Sequence, residues 1–253
     1  MYLQTNLKHL LANHQASYLQ RYDSINCHAG CVNSVKFYRD QDDRLYLISG
    51  SDDRHLGFTS IEPTVSSTRI DLSAKHRGNI ISVKTFNNSK NNKNSTFHKS
   101  STVISAANKG TVCATDLTTQ KSSLIHDDSR RIIALDTESN YFSTTGDEVI
   151  YYTDGQVLRR HDLSSRDSEV FIDKKQLDDE TAYGPTAIAV NEKRPFYLAI
   201  GCRNGSTKIF DVRWSKQPLF AEKDTGVDSL KFDCAFSGKK GRNNDHAREF
   251  WKR

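Results

Sequence analysis

Long apolar runs, a cysteine framework and repetitive glycine or proline patterns are all missing from this sequence. No apolar stretch approaches the roughly 18 residues needed to cross a bilayer, so no membrane partner is expected. The first thirty residues carry no uninterrupted apolar core of the secretory type, because Lys8, His9, Asn13 and His14 break the leucine run. Thirteen glycines and four prolines in 253 residues exclude a collagen-like or proline-rich linker chain. The five cysteines, Cys27, Cys31, Cys113, Cys202 and Cys234, are odd in number and scattered. They set up no disulfide framework and point to an intracellular, reducing compartment, nucleus or cytoplasm. The formal charge of +5 is too small to name nucleic acid as a partner. Lys239, Lys240, Arg242, Arg248, Lys252 and Arg253 crowd the end of the chain and read as a solvated basic tail over 236–253.

What is present begins with an amphipathic pattern. Leu3, Leu7, Leu10 and Leu11 recur at helical spacing, extended by Tyr18 and Tyr22, and predict a helix over 1–24. Its apolar side must pack on the rest of the chain or on another protein.

From residue 28 the period changes to alternation, and the pattern repeats. His76-Arg-Gly-Asn-Ile-Ile-Ser-Val matches His28-Ala-Gly-Cys-Val-Asn-Ser-Val nearly residue for residue. A third unit is read from His126, with Ile132–Leu135 as a strand and a hairpin through Thr153-Asp154-Gly155-Gln156, a strong turn signal. The fourth has strands at Ala187–Val190, Phe196–Ile200 and Thr207–Phe210. The units run over about 28–75, 76–125, 126–183 and 184–226, and Val227–Phe232 starts another that reaches 235. Two polar stretches, Asn87–Ser101 and Asp136–Asp147, read as inserted surface loops. Four β units and part of a fifth predict an all-β, radially repeated architecture. Such a set is not closed, so the chain is expected to be a fragment or short form of a longer propeller.

The opening His, the turn Ser49-Gly50-Ser51-Asp52-Asp53 and the closing Lys208-Ile209-Phe210-Asp211 resemble the WD40 family. The resemblance implies a β-propeller whose opening His, second-strand Ser or Thr and turn Asp rigidify each blade. His28, Asp53, His76 and His126 are then structural. The order of helix, Gly30-Cys31-Val32-Asn33, Gly50-Ser51-Asp52-Asp53 and Ile209-Phe210-Asp211-Val212-Arg213 is similar to the cullin-4-associated WD40 substrate receptors. It extends over about residues 5–235. That family implies a non-catalytic receptor of a RING-type ubiquitin ligase, which docks on the cullin-4 ligase adaptor protein and holds an unknown protein substrate. The family's adaptor-facing box, Trp-Asp-x-Arg, is matched by Phe210-Asp211-Val212-Arg213, with Phe for Trp. It is matched less fully by His161-Asp162-Leu163-Ser164, where Ser stands in place of Arg although Arg166 is near. Arg213, Asp211 and Asp162 are thus candidate adaptor-binding residues, with Leu7, Leu10 and Leu11 as a hydrophobic anchor. The alternative for Arg213 is an ion pair inside its own blade.

No nucleophile elbow, zinc-protease, P-loop or dinucleotide pattern occurs, so no enzyme and no cofactor are expected. Cys27-His28 with Cys31 lacks a second half for zinc. Two other readings stay open beside the receptor: a WD40 scaffold of another assembly, such as chromatin or RNA processing, and nucleic-acid or histone binding through the basic tail and loops.

Overall fold

A computed structural model of the chain describes residues 27–223, apart from 41, 43, 62–66, 87–100, 140–147, 155, 164–167, 174–184, 192, 193, 195 and 214–216. The predicted N-terminal helix with Leu7, Leu10 and Leu11, Arg166, the strand expected at Val227–Phe232 and the basic tail lie outside these residues. Among the described residues every regular element is a strand.

The strands form four antiparallel meanders. The first is β1 (Val32–Arg39), β2 (Leu45–Ser51), β3 (His55–Ser60) and β4 (Ser67–Asp71), the second β5 (Ile80–Thr85), β6 (Thr102–Ala107), β7 (Thr111–Asp116) and β8 (Lys121–Asp127). The third is β9 (Leu135–Ser139), β10 (Glu148–Thr153), β11 (Leu158–Asp162) and β12 (Ser168–Ile172), the fourth β13 (Pro185–Val190), β14 (Tyr197–Cys202), β15 (Ser206–Asp211) and β16 (Phe220–Lys223). Within each sheet neighbours in sequence are neighbours in space. The architecture is all-β and compatible with a β-propeller.

The sheets stack face to face, which requires apolar residues on both faces. Ile48, Leu56 and Ile70 of the first sheet meet Ile80, Val83 and Val103 of the second. Ile104, Ala106 and Val112 of the second meet Leu135, Ile150 and Tyr152 of the third. Val149, Tyr151 and Leu158 of the third meet Ile188, Val190 and Ile200 of the fourth. Gly50 makes the first of these junctions close, because a Cβ there would come within 2.6 Å of Ile80 Cγ2 and 2.7 Å of Val83 Cγ2.

Strand register makes positions comparable between sheets. Val35 pairs with Ser49, Val83 with Ser105, Leu135 with Tyr152 and Ile188 with Ile200. Val83, Leu135 and Ile188 are buried by the preceding sheet, at 2%, 3% and 7% exposure. Val35, their counterpart in the first sheet, is 60% exposed, and Phe37 is 63% exposed.

The first strands are also joined by polar side chains. Asn33 Nδ2 donates to the Ile80 carbonyl at 2.9 Å, and Ser34 Oγ accepts the Val83 N–H at 3.0 Å. Lys84 Nζ lies 2.9 Å from Asp136 Oδ1, whose Oδ2 accepts the Val190 N–H at 2.8 Å. Thr137 Oγ1 donates to the Thr85 carbonyl at 3.2 Å. These contacts correct the reading of Asp136–Asp147 as one polar loop. Its first residues, Asp136 to Ser139, belong to β9. Their polarity serves bonds to the neighbouring sheets, and Glu138 accepts the Tyr151 hydroxyl at 2.8 Å.

Asp136 therefore ties three sheets together. Replacing it with Ala leaves the Val190 N–H and the Lys84 ammonium without this acceptor. The expected loss is about 2–3 kcal/mol in urea unfolding, against under about 0.5 kcal/mol for a surface control.

Candidate functional site

The meander topology gives each sheet two ends. One holds the turn between the second and third strands together with the loop entering the first strand. The other holds the end of the third strand.

At the first end, His28 binds the first sheet. Its Nε2 lies 2.8 Å from Ser49 Oγ, and its Nδ1 donates to the Asp53 carboxylate at 3.2 Å from either oxygen. Asp53 also accepts the N–H groups of Ala29 at 2.8 Å and His55 at 3.0 Å, and a bond from Arg69 at 3.1 Å. Burial would raise the Asp53 carboxyl, but the Ala29 and His55 N–H groups and the His28 ring outweigh it and hold the pKa at about 2. Gly57 leaves the room this needs, since a Cβ there would meet Cys27 Sγ and Ser49 Oγ at 2.5 Å.

The second sheet builds the same clamp with a different acceptor. His76 is fully buried, its Nε2 2.8 Å from Ser105 Oγ and its Nδ1 2.8 Å from Thr111 Oγ1. Ser105 occupies the register of Ser49, and Thr111 does the work of the turn Asp. Two hydroxyls satisfy either tautomer of a neutral ring, and burial pushes the His76 pKa down to about 4. Cys113, beneath the ring at the register of Gly57, is raised to about 12 by burial and is not a reactive thiol.

The third unit departs from the expected plan. His28 and His76 each stand seven positions before the reference residues Val35 and Val83, whereas His126 stands nine before Leu135. It consequently falls within β8, paired with Val112, and not in the loop entering β9. Its ring lies 5.0 Å from that of Tyr152, and its Nε2 has no hydrogen-bond partner among the described residues. The turn carboxylate of this unit, Asp154, instead takes Arg159 Nε at 2.8 Å, with Arg130 NH1 at 3.6 Å. Arg159, half-buried, occupies the register of Gly57 and Cys113, and Lys208, buried, occupies it in the fourth sheet. Cations from the third strand thus stand where the first two sheets leave space for a histidine. Ser206 Oγ, at the register of Thr111, is buried without a hydrogen-bond partner among the described residues.

The opposite end carries the box residues. Ser60, Asp116, Asp162 and Asp211 share one register at the ends of the third strands. Asp116 accepts the Thr118 N–H at 2.8 Å, and Asp211 accepts the Arg213 N–H at 3.0 Å, the same local turn. Arg213 then folds back on Asp211 with Nε at 3.0 Å and a terminal nitrogen at 2.7 Å. Its guanidinium carbon lies 3.6 Å from the centre of the Phe196 ring. The bond from Arg213 is the main cause of the lowered pKa of Asp211, and the reciprocal bond raises that of Arg213. The ion pair inside the blade is therefore formed, and it fixes a guanidinium whose side chain is still 48% exposed. Asp162 is half-buried, followed by Leu163, whose N–H binds the Glu148 carbonyl at 2.9 Å. The sequence pattern places Phe196 at the start of a strand but assigns its ring no role. An aromatic at the start of the strand pairing with the box would be the signal to look for.

Among the described residues no cluster of three metal-capable side chains forms. No family model matches the chain, and no curated protein matches it.

Groups whose pKa the fold lowers, His76 and Asp53 foremost, predict an acid response in two stages. Folded His76 resists protonation, so the unfolded chain binds more protons between about pH 6.5 and 4, and stability falls as pH drops through that window. Asp53, held at about 2, adds a second fall between about pH 4 and 2. Urea unfolding across pH should show both slopes. His76→Asn is expected to reduce the upper one, by about 3 kcal/mol at most, with a part left to His126, and Asp53→Asn to reduce the lower, with a part left to Asp116 and Asp211.

Proposed function

We propose that this chain is a WD40-type β-propeller protein that acts as a non-catalytic substrate receptor of a cullin-4 RING ubiquitin ligase. The observation that carries this reading is the Arg213 corner. A carboxylate at the end of a third strand and an aromatic ring hold a half-exposed guanidinium in one orientation. A guanidinium so fixed offers its outward edge to carbonyl or carboxylate acceptors on a partner at little further entropic cost. The resemblance of Phe210-Asp211-Val212-Arg213 to the family's adaptor-facing box supplies the partner's identity. The receptor's contribution to ubiquitin transfer is proximity, since it raises the local concentration of a target lysine.

A second reading is favoured by the same corner. Asp211 and Phe196 already engage Arg213 within the fourth sheet, and an internal brace of this kind suits a WD40 scaffold in another assembly, such as chromatin or RNA processing.

Binding to the purified cullin-4 adaptor separates the two. The receptor reading expects saturable binding that weakens at least tenfold in Arg213→Ala, with Asp211→Asn intermediate because the guanidinium loses its hold but not its charge. A folded chain that ignores the adaptor would leave the scaffold reading, and one that binds it equally well without Arg213 would remove Arg213 from the contact.

A further inference from the structure

The four sheets share one backbone bond at the end that carries the box. The residue after each box position donates its N–H to a carbonyl at the start of the second strand. Ile61 binds Leu45 at 3.0 Å, Leu117 binds Ser101 at 3.0 Å, Leu163 binds Glu148 at 2.9 Å and Val212 binds Phe196 at 2.9 Å. Positions 45, 101, 148 and 196 are therefore equivalent, and each lies against its own corner. In the second sheet the side chain there engages the box carboxylate, Ser101 Oγ donating to Asp116 at 2.7 Å. In the fourth it engages the arginine, whose guanidinium carbon lies 3.6 Å from the centre of the Phe196 ring. Two places after the shared register of Ser60, Asp116, Asp162 and Asp211 stand Glu62, Thr118, Ser164 and Arg213. Among the four sheets, an arginine and an aromatic at these two positions coincide in the fourth alone.

From this geometry we infer that Phe196 is the positioning residue of the docking corner. Its ring sets the tilt of the Arg213 guanidinium, and it marks the fourth sheet's corner, not those of the other three, for the partner. The inference rests on the receptor reading above. Asp211 meets the guanidinium along one edge, through Nε at 3.0 Å and a terminal nitrogen at 2.7 Å. An edge contact of this kind fixes the group in its own plane but leaves its tilt about that edge open, and a ring against its face closes that freedom. With the tilt set in advance, less side-chain freedom is lost on docking. Phe196 is itself held in place. Its carbonyl is taken by Val212, and the Tyr197 N–H closes the adjoining turn onto the Arg194 carbonyl at 2.9 Å. Its ring meets that of Tyr197 edge to face, with centres 4.6 Å apart. The aromatic of the box, Phe210, has a different task, since it is fully buried with Val149, Leu158 and Leu198 in the core between the third and fourth sheets.

The test measures binding of the full chain to the purified cullin-4 adaptor in wild type, Phe196→Leu, Phe196→Tyr, and Phe196→Leu combined with Arg213→Ala. Phe196→Leu is expected to bind about fivefold more weakly, the worth of one side chain's freedom, and Phe196→Tyr to bind as wild type does. Added to Arg213→Ala, Phe196→Leu is expected to cause no further loss, because the ring has lost the group it positions. Undiminished binding by Phe196→Leu, or an equal loss with and without Arg213, would overturn the inference while leaving the receptor reading in place. NMR of the free wild-type chain gives a reading that depends neither on the adaptor nor on how the variants fold. Cross-peaks are expected between the Arg213 Hδ and Hε protons and the Phe196 ring. Their absence from the folded protein would overturn the positioning role even where the adaptor binds. Their presence in a folded chain that ignores the adaptor would place the failure in the receptor reading, and the docking role would fall with it.

Discussion

Each junction between neighbouring sheets is built of apolar side chains from both, and that constraint organises the rest. A four-stranded meander with one wet face needs apolar residues only at alternate positions. Here the run Val149-Ile150-Tyr151-Tyr152 is apolar at consecutive positions, because successive side chains face different neighbouring sheets. The modest apolar content is concentrated in the second strands and at one reference position of each first strand. Close approach then follows from small residues at the contact, as at Gly50.

Polar groups are placed where the stack leaves ends and seams. At the seams the exposed Asn33 and the half-buried Ser34, Lys84, Asp136 and Thr137 pair with backbone or charge on the adjacent sheet. At one end an imidazole between hydroxyls, or between a hydroxyl and a carboxylate, ties the entering loop to the second strand and the turn after it. The third sheet reaches a related result with Asp154 and Arg159. The repeated element is the position to be filled and the bonds to be made, more than the residue that makes them.

This explains which parts were legible in the sequence. The near-identity of the segments opening at His28 and His76 exposed the first two units, and the Asp154-Gly155 turn exposed the third hairpin. β9 was hidden because Asp136, Thr137 and Glu138 are polar, and polarity at an inner seam looks the same in a sequence as polarity in a loop. His126 was misplaced because residue type was matched ahead of spacing. Its offset from Leu135 differs by two from that of the true clamps, and a two-residue shift moved it into the strand before the loop. For Arg213 the sequence left an internal pair and a partner contact open. The geometry forms the internal pair while leaving much of the guanidinium exposed.

The central claim is a stack in which the first strands of neighbouring sheets pack on one another. β5 packs against β1 and β2, β9 against β5, and β13 against β9 and β10, whereas β4, β8 and β12 form the outer edges. Amide hydrogen exchange of the native chain, resolved by strand, tests this most directly. The account predicts that β5, β9 and β13 exchange at least a hundredfold more slowly than β4, β8 and β12. Equal rates, or slower exchange at the outer strands, would contradict it.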